Sequence, residues 1–227
     1  MLSWRLLLIV GVLVGGTFLS VNHQALLRAE PAAPPAAYQV DTSASRVFIK
    51  VGSATRFGHL HGVEGQLKSG DLRFGGNGGE LVFDMGTFTA DTAESHKRLG
   101  LEHEKISASD AKKVTESMRG PDVLDVGRFP TATFQITAVT ALDHQAVGAP
   151  GAYQIDGKFT LHGTAQKLQF KARLEPGQRP ESNKLSGSFT IKQSDYGIKP
   201  YSMFGGVVKV SDELEITGDL LLKASRP

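Results

Sequence analysis

From residue 38 onward, apolar and polar residues alternate with a period of two. Leu168, Phe170, Ala172 and Leu174 alternate with Gln169, Lys171 and Arg173. Leu185, Gly187, Phe189 and Ile191 alternate with Ser186, Ser188 and Thr190, and Leu214, Ile216, Gly218, Leu220 and Leu222 with a mainly polar set. Val47, Ile49 and Val51 repeat the pattern, as do Phe134, Ile136 and Ala138, and Ile155, Gly157, Phe159 and Leu161. A strand with one buried face requires this spacing. Turn-forming residues at 69–71, 75–79, 148–151, 163, 175–183 and 211–212 separate the runs. Six or more such strands without alternating helices argue against a parallel sheet and predict an antiparallel sandwich or closed barrel. Gly62, Gly65, Gly157, Gly187 and Gly218 fall inside strand-like runs. Strand glycines mark sharp bends and close approaches, which favours the barrel.

One stretch breaks the period. Residues 107–119 read as a helix, with Ser109 as cap, Asp110 in the first turn and Gly120–Pro121 as the stop. Val114 and Met118, four apart, share a face that can look into the barrel. The polar stretch 92–105 before it reads as irregular or partly helical. Such an excursion either covers a ligand at a barrel mouth or closes one end of the core.

Residues 1–37 differ in character. Arg5 precedes 16 uncharged residues, 6–21, mostly Leu, Val, Ile and Gly. This is the pattern of a secretory signal, and it is short for a span of about 20 apolar residues. The expectation is a signal peptide or uncleaved anchor over residues 1–28. A Pro/Ala-rich linker then covers 29–37, and a folded domain covers 38–224. The basic start places that domain in the periplasm or another extracytoplasmic space.

The net charge of +2 sits entirely in Arg5 and Arg28, so the domain itself is neutral and carries no attraction for nucleic acid. The absence of cysteine from the sequence excludes disulfides, thiolate metal sites and cysteine nucleophiles. His59 and His61 share a strand face. With His96, His103 or a carboxylate they form the set from which a metal site would be drawn, although no pair has the H-E-x-x-H spacing. A hydrolase would use His59, His61, His162 or Asp195, but the chain lacks a G-x-S-x-G elbow. His162 and Asp195 read more simply as turn formers, and Asp122 or Asp125 as acceptors of backbone N–H groups beside Phe129–Pro130.

Four segments carry a family resemblance: 41–49, with Asp41, Ser45 and alternating Val47 and Ile49; 122–134, with Asp125, Phe129, Pro130 and Phe134; 153–164, with Gly157, Phe159, His162 and Gly163; and 186–198, ending on Ser194, Asp195, Tyr196 and Gly197. Together they resemble the YceI-like family over about residues 38–224. The resemblance implies an all-β fold, an antiparallel eight-stranded lipocalin-like barrel, with the helical insertion around residues 107–119. It also implies a binding protein rather than an enzyme. The expected partner is an amphipathic lipid, such as a polyisoprenoid, quinone or fatty-acyl compound, with no dedicated cofactor. The segments 56–62 and 92–120 depart from the compact members and leave the ligand open.

Strand parity and the resemblance together give an expected lining of Phe57, Phe134, Ile136, Phe159, Phe170 and Phe189, with Tyr196 near a mouth. Arg56, His59 or His61 would meet a head group. Membrane association would run through residues 6–21, and the pattern leaves room for a dimer. The competing reading is a solidly packed structural or interaction barrel; cavity volume separates the two.

Overall fold

The computed structural model describes residues 37–56, 58–75, 78–179 and 182–225. The targeting segment, the linker up to residue 36 and Phe57 lie outside the described residues. The described residues form ten strands: β1 (Ala37–Val40), β2 (Arg46–Ser53), β3 (His61–Arg73), β4 (Gly79–Ala90), β5 (Thr131–Ala141), β6 (Gly151–Leu161), β7 (Thr164–Pro176), β8 (Ser182–Lys192), β9 (Ser202–Met203) and β10 (Val208–Ala224). Strands β2 to β8 pair antiparallel in sequence order. The long β10 joins β8 on one side and β2 on the other. That double pairing closes an eight-stranded antiparallel barrel and excludes the sandwich.

Strands β1 and β2 occupy one position in the ring. Both run between β10 and β3, in line with each other. The break between them, residues 41–45, accounts for part of the first family-like segment. The Ser45 and Ala44 N–H groups donate to the Asp41 carbonyl, at 2.9 and 3.2 Å. The fully buried Ser45 hydroxyl accepts the Leu221 N–H at 2.9 Å, replacing a ladder bond that the break would leave unmade.

Two expected turns are not turns. Residues 69–71 lie inside β3, and 211–212 inside β10, each beside a shift of register. Turn-type residues also suit a bulge, which bends a strand without ending it. A further bulge in β5 points Val139 inward where simple alternation placed Ala138. The turn at His162 and Gly163, with φ of 50° and 75°, is a two-residue hairpin of the type that matches strand twist. The His162 ring packs against Phe129 at a tilt of 52°, with centroids 4.4 Å apart. Near Phe129 it is the backbone carbonyl of Asp125 that accepts hydrogen bonds, from Arg128 and Phe129, and not a carboxylate.

The excursion contains two helices, α1 (Ala93–Leu99) and α2 (Ala108–Arg119). Ser107, not Ser109, caps α2: its hydroxyl accepts the Asp110 N–H at 3.1 Å. Helix α1 packs on the outside of β2 and β3. Its Arg98 lies over the buried Phe48 ring and makes two bonds to Asp219, at 2.6 and 3.2 Å. Helix α2 is tied to the end of β4. Arg119 donates to the Phe88 carbonyl at 2.8 Å, and the Thr115 hydroxyl accepts the Ala90 N–H at 2.9 Å. Among the described residues no helix is long and apolar enough to cross a membrane.

Candidate ligand cavity

The two ends of the barrel are built differently. At one end lie β1, the β3–β4 turn, the β5–β6 loop and the β7–β8 loop. Tyr38, Phe74 and Tyr153 fill it, with edge-on ring contacts at 5.5 and 4.8 Å. All three are almost completely buried, as are Leu72, Leu174 and Leu222. The tyrosine hydroxyls are paired: Tyr153 donates to the Ala149 carbonyl at 2.6 Å, and Asn183 donates to Tyr38 at 3.0 Å. Burial pushes both phenols above their ordinary pKa.

Above this plug the barrel is hollow. The cavity holds about 750 Å³, within the range of about 300–1,000 Å³ that encloses a small organic ligand. Phe83, Phe134, Phe159, Phe170 and Phe189, one from each of β4 to β8, form an aromatic wall. Their ring contacts run from 4.8 to 6.5 Å. The facing wall is aliphatic, with Val47, Ile49 and Val51 from β2 and Leu214, Ile216 and Leu220 from β10. Gly218 of β10 leaves a bay in the lining, whereas a Cβ at Gly187, its partner on β8, would lie 3.1 Å from Ala172 and Phe170, so that glycine permits close packing. A Cβ at Gly218 would meet no atom within 4 Å, so open space lies beside this position. Gly157 differs: a Cβ there would clash with the Phe134 ring at 2.6 Å, so this glycine lets the ring lie flat.

Helix α2 lies at the open end, where Val114 and Met118 reach the cavity as their spacing predicts. The β9–β10 hairpin adds Met203, Val208 and Val210. Polar lining is concentrated here, in His59, His61, Lys105, Asp110, Lys113 and Glu116. Lys113 pairs with Asp110 at 3.1 Å, and His59 with Glu104 at 3.3 Å.

Phe134, Ile136, Phe159, Phe170 and Phe189, with His59 and His61, all border the cavity. Arg56 is exposed and does not border it, and Tyr196 sits behind the wall, 2% exposed, its ring 5.7 Å from Phe159. Burial, with the neighbouring Asp195 charge, pushes the Tyr196 phenol up to about 12. His162 and Asp195 lie outside the lining, so the polar groups that a hydrolase would need do not converge on the cavity. Among the described residues no three His, Asp or Glu side chains are grouped to hold a metal ion.

Sequence reasoning did not pair His61 with Asp91. The Asp91 side chain is 1% exposed, and its backbone takes the left-handed region at φ 57°. Its carboxylate accepts from His61 Nδ1 at 2.7 Å, His96 Nε2 at 3.0 Å and the Gly62 N–H at 3.1 Å. Burial works against its ionisation, but the hydrogen bonds from the two histidines and Gly62 outweigh it and hold the pKa below the ordinary value. The available signal was Asp91–Thr92 ahead of Ser95: Thr92 caps α1 by accepting the Ser95 N–H at 3.0 Å.

A closed antiparallel barrel, plugged at one end and hollow above the plug, defines a lipocalin-like class whose shape is consistent with ligand binding. The chain belongs to the YceI-like domain family, whose match spans residues 38–222. A UPF0312 protein of Pseudomonas paraeruginosa is 30% identical over 131 residues, which cover 56% of this chain and 62% of that protein. A UPF0312 protein of Vibrio cholerae is 24% identical over 206 residues, covering 89% of this chain and 97% of that one. Among solved structures, a polyisoprenoid binding domain from Saccharophagus degradans, implicated in plant cell wall breakdown, superposes with a TM-score of 0.58 at 16% identity. It covers 84% of this chain and 99% of its own. Burkholderia cenocepacia BcnA gives 0.51 at 18% identity, covering 80% and 98%.

Proposed function

We propose that the domain carries or sequesters one amphipathic lipid, with its apolar chain inside the barrel and its polar end at the α2 mouth. The cavity of about 750 Å³ with apolar walls is the observation that carries this reading. Removing apolar surface from water contributes roughly 25 cal/mol per Å², so a prenyl or acyl chain supplies its own driving force. The segregation of ionisable lining groups at one end suits a molecule with one polar terminus. The polyisoprenoid binding domain of Saccharophagus degradans makes an isoprenoid the first cargo class to test. The leader at residues 6–21 supports an extracytoplasmic setting, with the domain either released or tethered.

The test is organic extraction of natively expressed protein followed by mass spectrometry. A stoichiometric amphiphile is the expected result. Recovery of none, together with no uptake of added polyprenyl, quinone or fatty-acyl lipids, would overturn the reading.

A further inference from the structure

The polar mouth offers different handles for different head groups. The formal charges of Lys105, Lys113, Asp110 and Glu116 cancel, so these lining residues supply no net field for an anionic head. The histidine beside them is more definite. His61 lies on the inward face of β3, two residues before the lining residue Val63 and opposite the lining residue Val51. Its Nδ1 edge is turned to Asp91, which is itself held by Gly62 and His96. Asp91 also adopts the left-handed backbone conformation, which among residues with a side chain is most accessible to Asn and Asp.

An ionised carboxylate only accepts hydrogen bonds. Asp91 therefore requires the His61 proton on Nδ1; when the ring carries no second proton, Nε2 is left as an acceptor. Nε2 has no hydrogen-bond partner among the described residues. A hydroxyl complements such a nitrogen, whereas an ether or carbonyl oxygen would meet lone pair with lone pair.

We propose that Nε2 of His61 is the head-group acceptor of the cavity, oriented by Asp91, and that it selects a neutral hydroxyl head: an alcohol, phenol or hydroquinone. This rests on the lipid-carriage reading above. Asp91 acts as a positioning residue, since it touches the ligand only through His61.

The experiment compares two ligands matched in everything but the donor. Geranylgeraniol and its methyl ether displace a fluorescent apolar probe, N-phenyl-1-naphthylamine, from the purified full-length chain. The alcohol binds about 2- to 10-fold more tightly, the range that one net hydrogen bond supplies. His61→Leu removes that advantage. Asp91→Asn frees the ring to take the other tautomer, and the preference for the alcohol shrinks or inverts. A merely structural role for Asp91 would weaken both ligands alike. Equal displacement by alcohol and ether in the unmodified chain overturns the head-group site and leaves lipid carriage standing. An alcohol advantage that survives His61→Leu also overturns it. Uptake of neither ligand nor of the probe counts against carriage itself.

Discussion

The plugged end and the open end of the barrel solve opposite problems with similar residues. At the plug, Tyr38, Phe74 and Tyr153 meet edge to face, and the tyrosine hydroxyls are satisfied by the β5–β6 loop and by Asn183 of β8. At the open end the phenylalanines again touch one another, but they stand along one wall and face space. Aromatic residues therefore do not by themselves announce a core or a binding site. What decides is whether the neighbouring strand offers bulk or a glycine. Next to the aromatic wall, β10 places Gly218 and leaves room.

The comparison is easiest to break by truncating one residue at each end. Phe74→Ala opens a void in a packed region, and unfolding free energy falls by about 3–5 kcal/mol. Met118→Ala on α2 removes a side chain that borders empty space, and costs about 1 kcal/mol or less. Urea denaturation of the two variants side by side checks this. Equal losses would show that the ends do not divide stability from access.

The next effect concerns the cavity alone. Gly218→Leu projects into the bay from a Cβ position that has no atom within 4 Å. Ligand affinity falls about tenfold or more, equivalent to about 1.4 kcal/mol, while the melting temperature of the ligand-free protein holds or rises. Unchanged affinity would mean that bound ligand does not use this bay.

The smallest effect belongs to the plugged end. A hydrogen bond from Lys223 at 2.8 Å, and another from Ser43, hold the Asp41 carboxyl at about 2, below its ordinary 3.8. A depressed folded-state pKa stabilises the fold above the ordinary value, and the contribution is lost as pH falls through the folded one. Stability at this site therefore declines between about pH 4 and pH 2. Asp41→Asn removes that part of the slope, measurable as a shallower fall of melting temperature over the same window.

Much of the barrel was legible because β7, β8 and β10 alternate cleanly for several residues. Legibility failed at bulges. In β4, Phe83 and Met85 border the cavity from odd positions, but Phe88 does so from an even one. A register shift between them, with the Asp84 side chain accepting the Gly86 N–H, flips the parity. Period-two reading cannot cross such a point. Helix α1 was legible only as part of an irregular or partly helical stretch, for another reason: its buried contact is the small polar Ser95, whose hydroxyl bonds to the Gly62 carbonyl at 2.9 Å, so no apolar stripe advertises it. Four of the aromatic wall residues followed from parity and resemblance. The link between His61 and Asp91 spans 30 residues and depends on how β3 meets the end of β4, which no local pattern encodes.

The first and last strands of the fold finish side by side. Tyr38 pairs with Ala224, and the Ser225 N–H donates to the Ala37 carbonyl at 3.0 Å, both at the plugged end. The barrel is thus a cup whose handles are both on its base. A reporter fused after β10, or a bond from that end to a sensor chip, grips the base and leaves the rim free. A layer of molecules fixed that way would present their mouths to the liquid, ready to be filled and emptied by flow.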